Sequence, residues 1–292
     1  MRVINHGGRA GLERAGRWLD VEIASDGWFT HDPMAVYARW DELREHAREF
    51  DFSDAEPVDE TQLLAPVPQP RQIFAVGLNY RAHAAESGLD LPEAPFIFTK
   101  FPASVTGPYS TVELPTKTVD FELELVAVIG AEAHRVEVAD AWSHVAGLTV
   151  GQDLSERELQ LSGPAPQQFS LGKSYTGFSP IGPAVVSVDE FDDPDDIALS
   201  GILSGEEVQR TRTGDLIFPV PQLVSYLSHI LPLLPGDLIF TGTPSGVGWG
   251  RRPQRYIQPT DELVSRAEGI GEMRHRFVSS PTRVLGQGGN GA

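Results

Sequence analysis

The most regular hydrophobic pattern in the chain lies at residues 119–130, VDFELELVAVIG. Phe121, Leu123, Leu125, Ala127 and Ile129 alternate with other residues, so an extended chain places them on one face. Glu122 and Glu124 then project side by side from the opposite face, which turns apolar again at Val126 and Val128. Shorter strand patterns occur at Arg2–Asn5 and Trp18–Ile23, at IFAVGLNY after Gln72, and at SPIGPAVVS, ALSGILSGEEVQR, GDLIF, ELVSRAEGI and EMRHRFV in the last third. Helical patterns are fewer. MAVYARWDELREHAREF follows an Asp32 cap and Pro33 in the first turn, and PQLVSYLSHIL interrupts the late strands. YRAHAAES has helix-forming residues but meets Gly88 quickly. AWSHVAGLTVGQDLSERELQ reads as a short helix, a strand and a second short helix.

The Pro-rich stretch APVPQP, residues 65–70, marks a change of texture. It separates an expected small N-terminal domain, 1–65, from a strand-rich main domain, 66–285, and the Gly-rich end, 286–292, is expected to be a flexible tail. No repeat of fixed long period and no coiled-coil heptad is present.

Composition narrows the function. The 292 residues are 40% hydrophobic and 22% charged, enough apolar material for a sizeable core. A formal charge of -18 repels phosphate backbones and anionic lipid, which argues against nucleic-acid and membrane partners. An anionic substrate would then need a local positive centre. There is no cysteine, so thiol nucleophiles, thiolate zinc sites and disulfides are excluded, and any metal must rest on carboxylates or histidines. The start of the sequence has no apolar leader segment, and no stretch approaches the roughly 18 apolar residues of a membrane span. A cytoplasmic location is expected.

Glu122 and Glu124 repel one another unless a proton or cation lies between them, and a hard divalent ion resolves this with oxygen ligands. The plainer alternative is a strand edge with two solvated glutamates. Asp153, at the end of AGLTVGQD, is the natural third ligand, or else a helix cap for SERELQ. Lys173 in GKS could supply the cation that captures an anionic ligand, although the spacing is not that of a phosphate-binding P-loop. His83 and Glu86 lie three apart and share a face if helical, so Glu86 could orient the imidazole as a base, with Gly88 as a hinge. They could equally be a surface pair. His144 and His229 are expected to pack or form interfaces; the remaining histidines have no companion signal. The run GTPSGVGWG, 242–250, allows close backbone approach to an anion and includes Thr243, or is a structural turn.

The ordered series NYRAHAAE, FIFTK, VDFELELVAVIG, GQDLSERELQ, GKSYTGFSPIGP, SGEEVQ and LPGDLIFTGTPSGVG resembles the fumarylacetoacetate hydrolase family over about residues 72–277. The resemblance implies an α+β chain: a mixed β fold with a rolled, barrel-like sheet, a small N-terminal α/β domain and homodimer assembly. It implies Mg²⁺ or Mn²⁺ on Glu122, Glu124 and Asp153, a water-activating His83–Glu86 dyad on a segment ordering as a lid, and Lys173 beside the substrate. Arg157, Gln160 and Thr243 would surround the ligand's oxygens. The chain departs from the family pattern at Gln152, where Asn is common, at Thr176, where Asp is common, and at Phe101, where Pro is common.

The expected activity is metal-dependent C–C hydrolysis of an acylpyruvate-like 1,3-dicarbonyl, a small 2-oxo acid, to pyruvate and a carboxylic acid. Decarboxylation of an oxo-diacid or isomerisation of a hydroxy-dienedioate would use the same enolate chemistry. A non-catalytic ligand-binding protein is the rival of another class, but it has no chemical need for His83 and Glu86.

Overall fold

The computed structural model describes residues 1–87, 90–163 and 167–281. Gly88 and the 286–292 tail lie outside the described residues. The strongest strand signal becomes the central strand Leu123–Ile129, buried along its whole length. Its two faces separate as the alternation requires. Leu123, Leu125, Ala127 and Ile129 join a core with Leu223, Val224 and Leu227 of the Val220–Ser228 helix. Val126 and Val128 join another with Tyr37, Trp40 and Leu43 from the first sixty residues. Each such fully buried Leu or Ile contributes roughly 2 kcal/mol by removing its side chain from water.

Leu123–Ile129 lies between antiparallel partners, Val145–Gln152 and Leu238–Phe240. Outward from Val145–Gln152 come Ser179–Ser187, Arg2–His6, Arg9–Arg14 and Arg17–Asp20; outward from Leu238–Phe240 come Ile73–Gly77 and Phe96–Thr99. The strands of the N-terminal segment thus extend the main sheet, because Arg2 and Val3 pair with Val186 and Val185. A second sheet runs Glu206–Arg212, Ala198–Leu203, Glu262–Ala267, Gly271–Ser279 and Thr111–Leu114. The fold is mixed α/β and rich in sheet. The hydrogen-bonded paths are open, and no closed barrel forms among the described residues.

Several local expectations change. The strand expected at Trp18–Ile23 ends at Asp20, whose carboxylate accepts from the N–H groups of Glu22 and Ile23 and starts the helical turn Val21–Ala24. The helix expected over 34–50 contracts to a 3-10 turn at Tyr37–Arg39 and the α-helix Trp40–His46. Asp32 accepts from Met34 N at 2.8 Å, so it caps an opening turn and not the helix itself. His229 is exposed at the end of its helix and does not pack in the core.

His275 has the opposite fate. It is fully buried; Nε2 donates to Gly107 O at 3.1 Å, and Nδ1 has no partner among the described residues. Burial pushes its pKa down to about 4, the hydrogen bond to Gly107 only partly opposing this. The unfolded chain therefore binds the extra proton first, between pH 6.5 and about 4. Stability from keeping this ring neutral is complete above 6.5 and is lost as pH falls through that window, by about 3 kcal/mol in all. Urea melts should show wild type losing more stability than His275→Gln between pH 7 and 4.5; parallel losses would refute the assignment.

Candidate active site

The register of the central strands assembles the acidic cluster. Leu123 pairs with Gln152 and Glu124 with Gly151, so one further step sets Glu122 opposite Asp153. Asp153 N indeed donates to Glu122 O at 2.9 Å. Carboxylate oxygens of Glu122, Glu124 and Asp153 lie within 4.8 Å of one another, and all three residues are buried. Glu122 stands just before the Leu123–Ile129 strand and Glu124 within it. Asp153 does not cap the following helix: Glu156 does, accepting from Glu158 N and Leu159 N.

Cations surround this cluster. Lys173 Nζ donates to Glu122 Oε2 at 2.6 Å and also to Asp153 Oδ2. Arg157 donates to Asp120 Oδ2 at 2.9 and 2.7 Å, to Glu122 Oε1 at 2.7 Å and to Gln160 Oε1 at 2.8 Å. The helical turn Phe169–Gly172 brings Lys173 to this place by lying against Arg157–Gln160. A Cβ on Gly172 would sit 2.8 Å from Gln160 Cα, so only glycine permits the approach.

Burial favours protonation of both glutamates, but neighbouring charge sets Glu122 and Glu124 apart. Burial is outweighed at Glu122 by Lys173 and Arg157, which hold it below the usual carboxylate range. At Glu124 burial acts together with the negative charges of Asp153 and Glu122, driving its pKa well above normal. The hydrogen bond Glu124 accepts comes from Gly242 N, at 2.7 Å. Burial would lower Lys173, yet Asp153 and Glu122 together raise it above the ordinary lysine value.

Four buried carboxylates, Asp120, Glu122, Glu124 and Asp153, face three buried cations, Lys100, Arg157 and Lys173. With all seven ionised one negative charge would be in excess, and this is what drives Glu124 toward its protonated form. Three hard oxygen donors around a centre with surplus negative charge fit a divalent cation of the Mg²⁺ or Mn²⁺ kind. Such an ion would leave the cluster with one positive charge, suited to an anionic ligand.

His83 and Glu86 occupy the helix Arg81–Ser87, and His83 Nδ1 lies 3.3 Å from Glu86 Oε2. The pair is therefore in contact, with His83 largely buried. Gly246 N points to both oxygens of Glu86, at 3.1 Å each. Burial would raise Glu86, but His83 and the Gly246 N–H more than compensate and keep it ionised. Gly246 has φ +105°, and a Cβ there would meet Val208 O at 2.1 Å. The glycine-rich run thus grips the dyad's carboxylate.

A cavity of about 380 Å³ joins these parts: His83, Glu122, Arg157, Gln160, Lys173 and Thr243 all line it, with Trp249 and several phenylalanines. Every residue expected at the site except Glu86, Glu124 and Asp153 lines this cavity; Glu86 contacts His83, Asp153 contacts Lys173, and a Glu124 carboxylate oxygen lies within 4.8 Å of one of Glu122.

Four supporting residues were not anticipated. Lys100 is completely buried, donating to Asp153 Oδ1 at 2.5 Å and to the Lys173 carbonyl. Asp120 accepts from Arg157 and from the N–H groups of Gly248 and Trp249, at 2.7 and 2.9 Å. Gln152 accepts from Glu122 N at 3.0 Å, and Gln209 donates to Thr243 Oγ1 at 2.8 Å. A lysine closing the apolar run FIFTK was the one local signal for Lys100. The others become visible only once distant segments meet.

A buried carboxylate cluster beside a His–Glu pair, on a mixed sheet, agrees with the family to which the motifs pointed. Residues 72–278 match the fumarylacetoacetate (FAA) hydrolase C-terminal family, and the chain belongs to it. It is 38% identical over 224 residues to the Bos taurus oxaloacetate tautomerase FAHD2A, mitochondrial, covering 76% of this chain and 71% of that one. Among solved structures it resembles a Mycobacterium smegmatis protein provisionally assigned as HpcE, with 52% identity and TM-score 0.89 over 96% of this chain and 100% of the other. It also resembles the maleylpyruvate hydrolase of Sphingobium sp. SYK-6 in complex with manganese (II) ion and pyruvate, at 25% identity and TM-score 0.77 over 96% and 100%. This chain is an enzyme of that family. None of its described helices is long and apolar enough to cross a membrane.

Proposed function

We propose that the chain is a Mg²⁺- or Mn²⁺-dependent hydrolase that cleaves a C–C bond in an acylpyruvate-like 1,3-dicarbonyl 2-oxo acid. The observation that carries this is a cluster of three buried carboxylates and a His83–Glu86 pair, each of which presents one member, Glu122 and His83, to the same cavity. Glu122, Glu124 and Asp153 would hold the cation, which when bound supplies positive charge for the oxygens of the 2-oxo acid. The manganese and pyruvate in the maleylpyruvate hydrolase of similar fold support this reading.

The residues divide the remaining work. Glu86, fixed by Gly246, keeps His83 in one tautomer with Nε2 free to accept a proton. His83 removes that proton from a water, which attacks the distal carbonyl carbon. The bond between that carbon and the methylene then breaks, leaving its electron pair on the three-carbon oxo acid as an enolate. Lys173 stabilises this charge through its ammonium group. Proton return to carbon yields pyruvate, and the acyl part leaves as a carboxylic acid. Arg157, Gln160 and Thr243 orient the substrate's oxygens.

A second reading has one specific support. Relatives about 38% identical are oxaloacetate tautomerases, for which the same base would move a proton between carbon and oxygen without attack by water. Product masses after incubation with acylpyruvates and with oxaloacetate separate the two. Pyruvate plus acid supports hydrolysis; keto–enol interconversion at unchanged mass, with no acylpyruvate cleaved, overturns it. Glu86→Gln should lower kcat on the order of a hundredfold with little change in KM, because the base loses its orienting charge. A change confined to KM would remove Glu86 from the mechanism. Homodimer assembly and a cytoplasmic location belong to the same proposal, and sedimentation of the purified chain tests the first.

A further inference from the structure

Next to the cavity lined by Glu122 and His83 lies another of about 490 Å³. The two share Phe96, Phe98, Gln167 and Phe169, so they adjoin across these four side chains. Phe169 meets Phe96 edge to face with centroids 5.4 Å apart, and Phe98 at 5.7 Å. Phe98 also carries Lys173 Nζ 4.9 Å from its ring centroid, so the aromatic wall begins at the reacting end.

Charge decides what such a pair of cavities can accept. Among the described residues, the outer cavity is lined by no ionisable side chain. In the inner one the cationic lining groups Arg157 and Lys173 pair with Asp120, Glu122 and Asp153, and so stand at the 2-oxo acid end. A second substrate carboxylate in the outer cavity would lose its water and meet no cation among the described residues, whereas an apolar group would gain contact with three rings.

We infer that the Phe96–Phe98–Phe169 wall is the seat of the substrate's distal acyl group, and that the substrate class is acylpyruvates bearing an extended alkyl or aryl substituent, not dicarboxylates. The inference rests on the 2-oxo acid reading above and adds its specificity. The packed rings offer an apolar surface on which a flat ring can lie, and the neutral Gln167 and Gln168 that line the same cavity are compatible with an uncharged tail.

The test has a binding arm and a turnover arm. Calorimetry on the Mn²⁺-loaded protein should give 2-oxo-4-phenylbutanoate a Kd at least roughly tenfold below that of 2-oxoglutarate. Phe169→Ala should shrink that ratio to about twofold, and Phe169→Leu should restore much of it. Equal binding of the two acids in wild type, or an unchanged ratio in Phe169→Ala, overturns the subsite. In turnover, kcat/KM should rise roughly fourfold per methylene from acetyl- through butanoyl- to hexanoylpyruvate. Cleavage of all three at one rate refutes the subsite and leaves the hydrolase reading standing. Preferential binding of the phenyl acid with no acylpyruvate cleaved does the reverse.

Discussion

Glu124→Gln is expected to abolish metal-dependent turnover, lowering kcat on the order of 10³-fold, while making the metal-free protein more stable. The two effects come from the same surplus charge. Glu124 is buried beside Asp153 and Glu122, and its folded pKa lies well above the ordinary 4.5. A carboxyl raised in this way favours folding only while protonated, so stability falls as pH rises from the unfolded value through the folded one. Above that window the metal-free wild type bears the full penalty of ionisation, and the neutral amide does not. Wild type should recover stability when the cation binds, by about 2.7 kcal/mol at a hundredfold excess over Kd, and the variant should gain far less. Thermal melts with EDTA and with Mg²⁺ or Mn²⁺, alongside product formation, measure both. Full activity in the variant, or a wild-type melting temperature indifferent to millimolar metal, would sink the metal assignment.

How much of this was legible in the sequence follows from the range of the interactions. The strand at 123–129 and the shared direction of Glu122 and Glu124 depend on neighbours two residues apart, which alternation records directly. Contact between His83 and Glu86 likewise needs only one helical turn. That Asp153 faces Glu122 depends on a register between strands about thirty residues apart, which local pattern does not encode; there the ordered motifs of the family supplied what spacing could not. Trp18–Ile23 misled because its apolar alternation looks extended, while the Asp20 carboxylate captures the next two N–H groups and turns the chain. The N-terminal segment looked separable by composition, yet its backbone pairs with Ser179–Ser187, a partner found only after the whole sheet forms. Lys100, Asp120 and Gln209 were missed for a related reason. Their side chains are ordinary on a surface and acquire roles only from burial against groups far away in sequence.

Lys100 offers the sharpest test of that last point. Its side chain is fully buried, and its ammonium group meets Asp153 and the carbonyl of Lys173. Burial lowers its pKa, only partly opposed by Asp153, so the charge is held at a cost that its two acceptors offset. Lys100→Met keeps the length and removes the charge. Asp153 then retains Lys173 but loses the donor at Oδ1, and the Lys173 carbonyl is left without its ammonium partner. Removing one member of a buried ion pair typically destabilises by about 3–5 kcal/mol, and a chain of this size should melt on the order of 10 °C lower. The same loss frees Asp153 to rotate away from Glu122 and Glu124, so the metal concentration needed for half-maximal activity should rise about 10–100-fold. A variant with lowered melting temperature and an unchanged metal midpoint would make Lys100 a stabilising residue only. If both measurements stayed at wild-type values, neither the buried ion pair nor its aiming of Asp153 would matter to this protein, since the orientation of the third ligand is what the pair is argued to maintain.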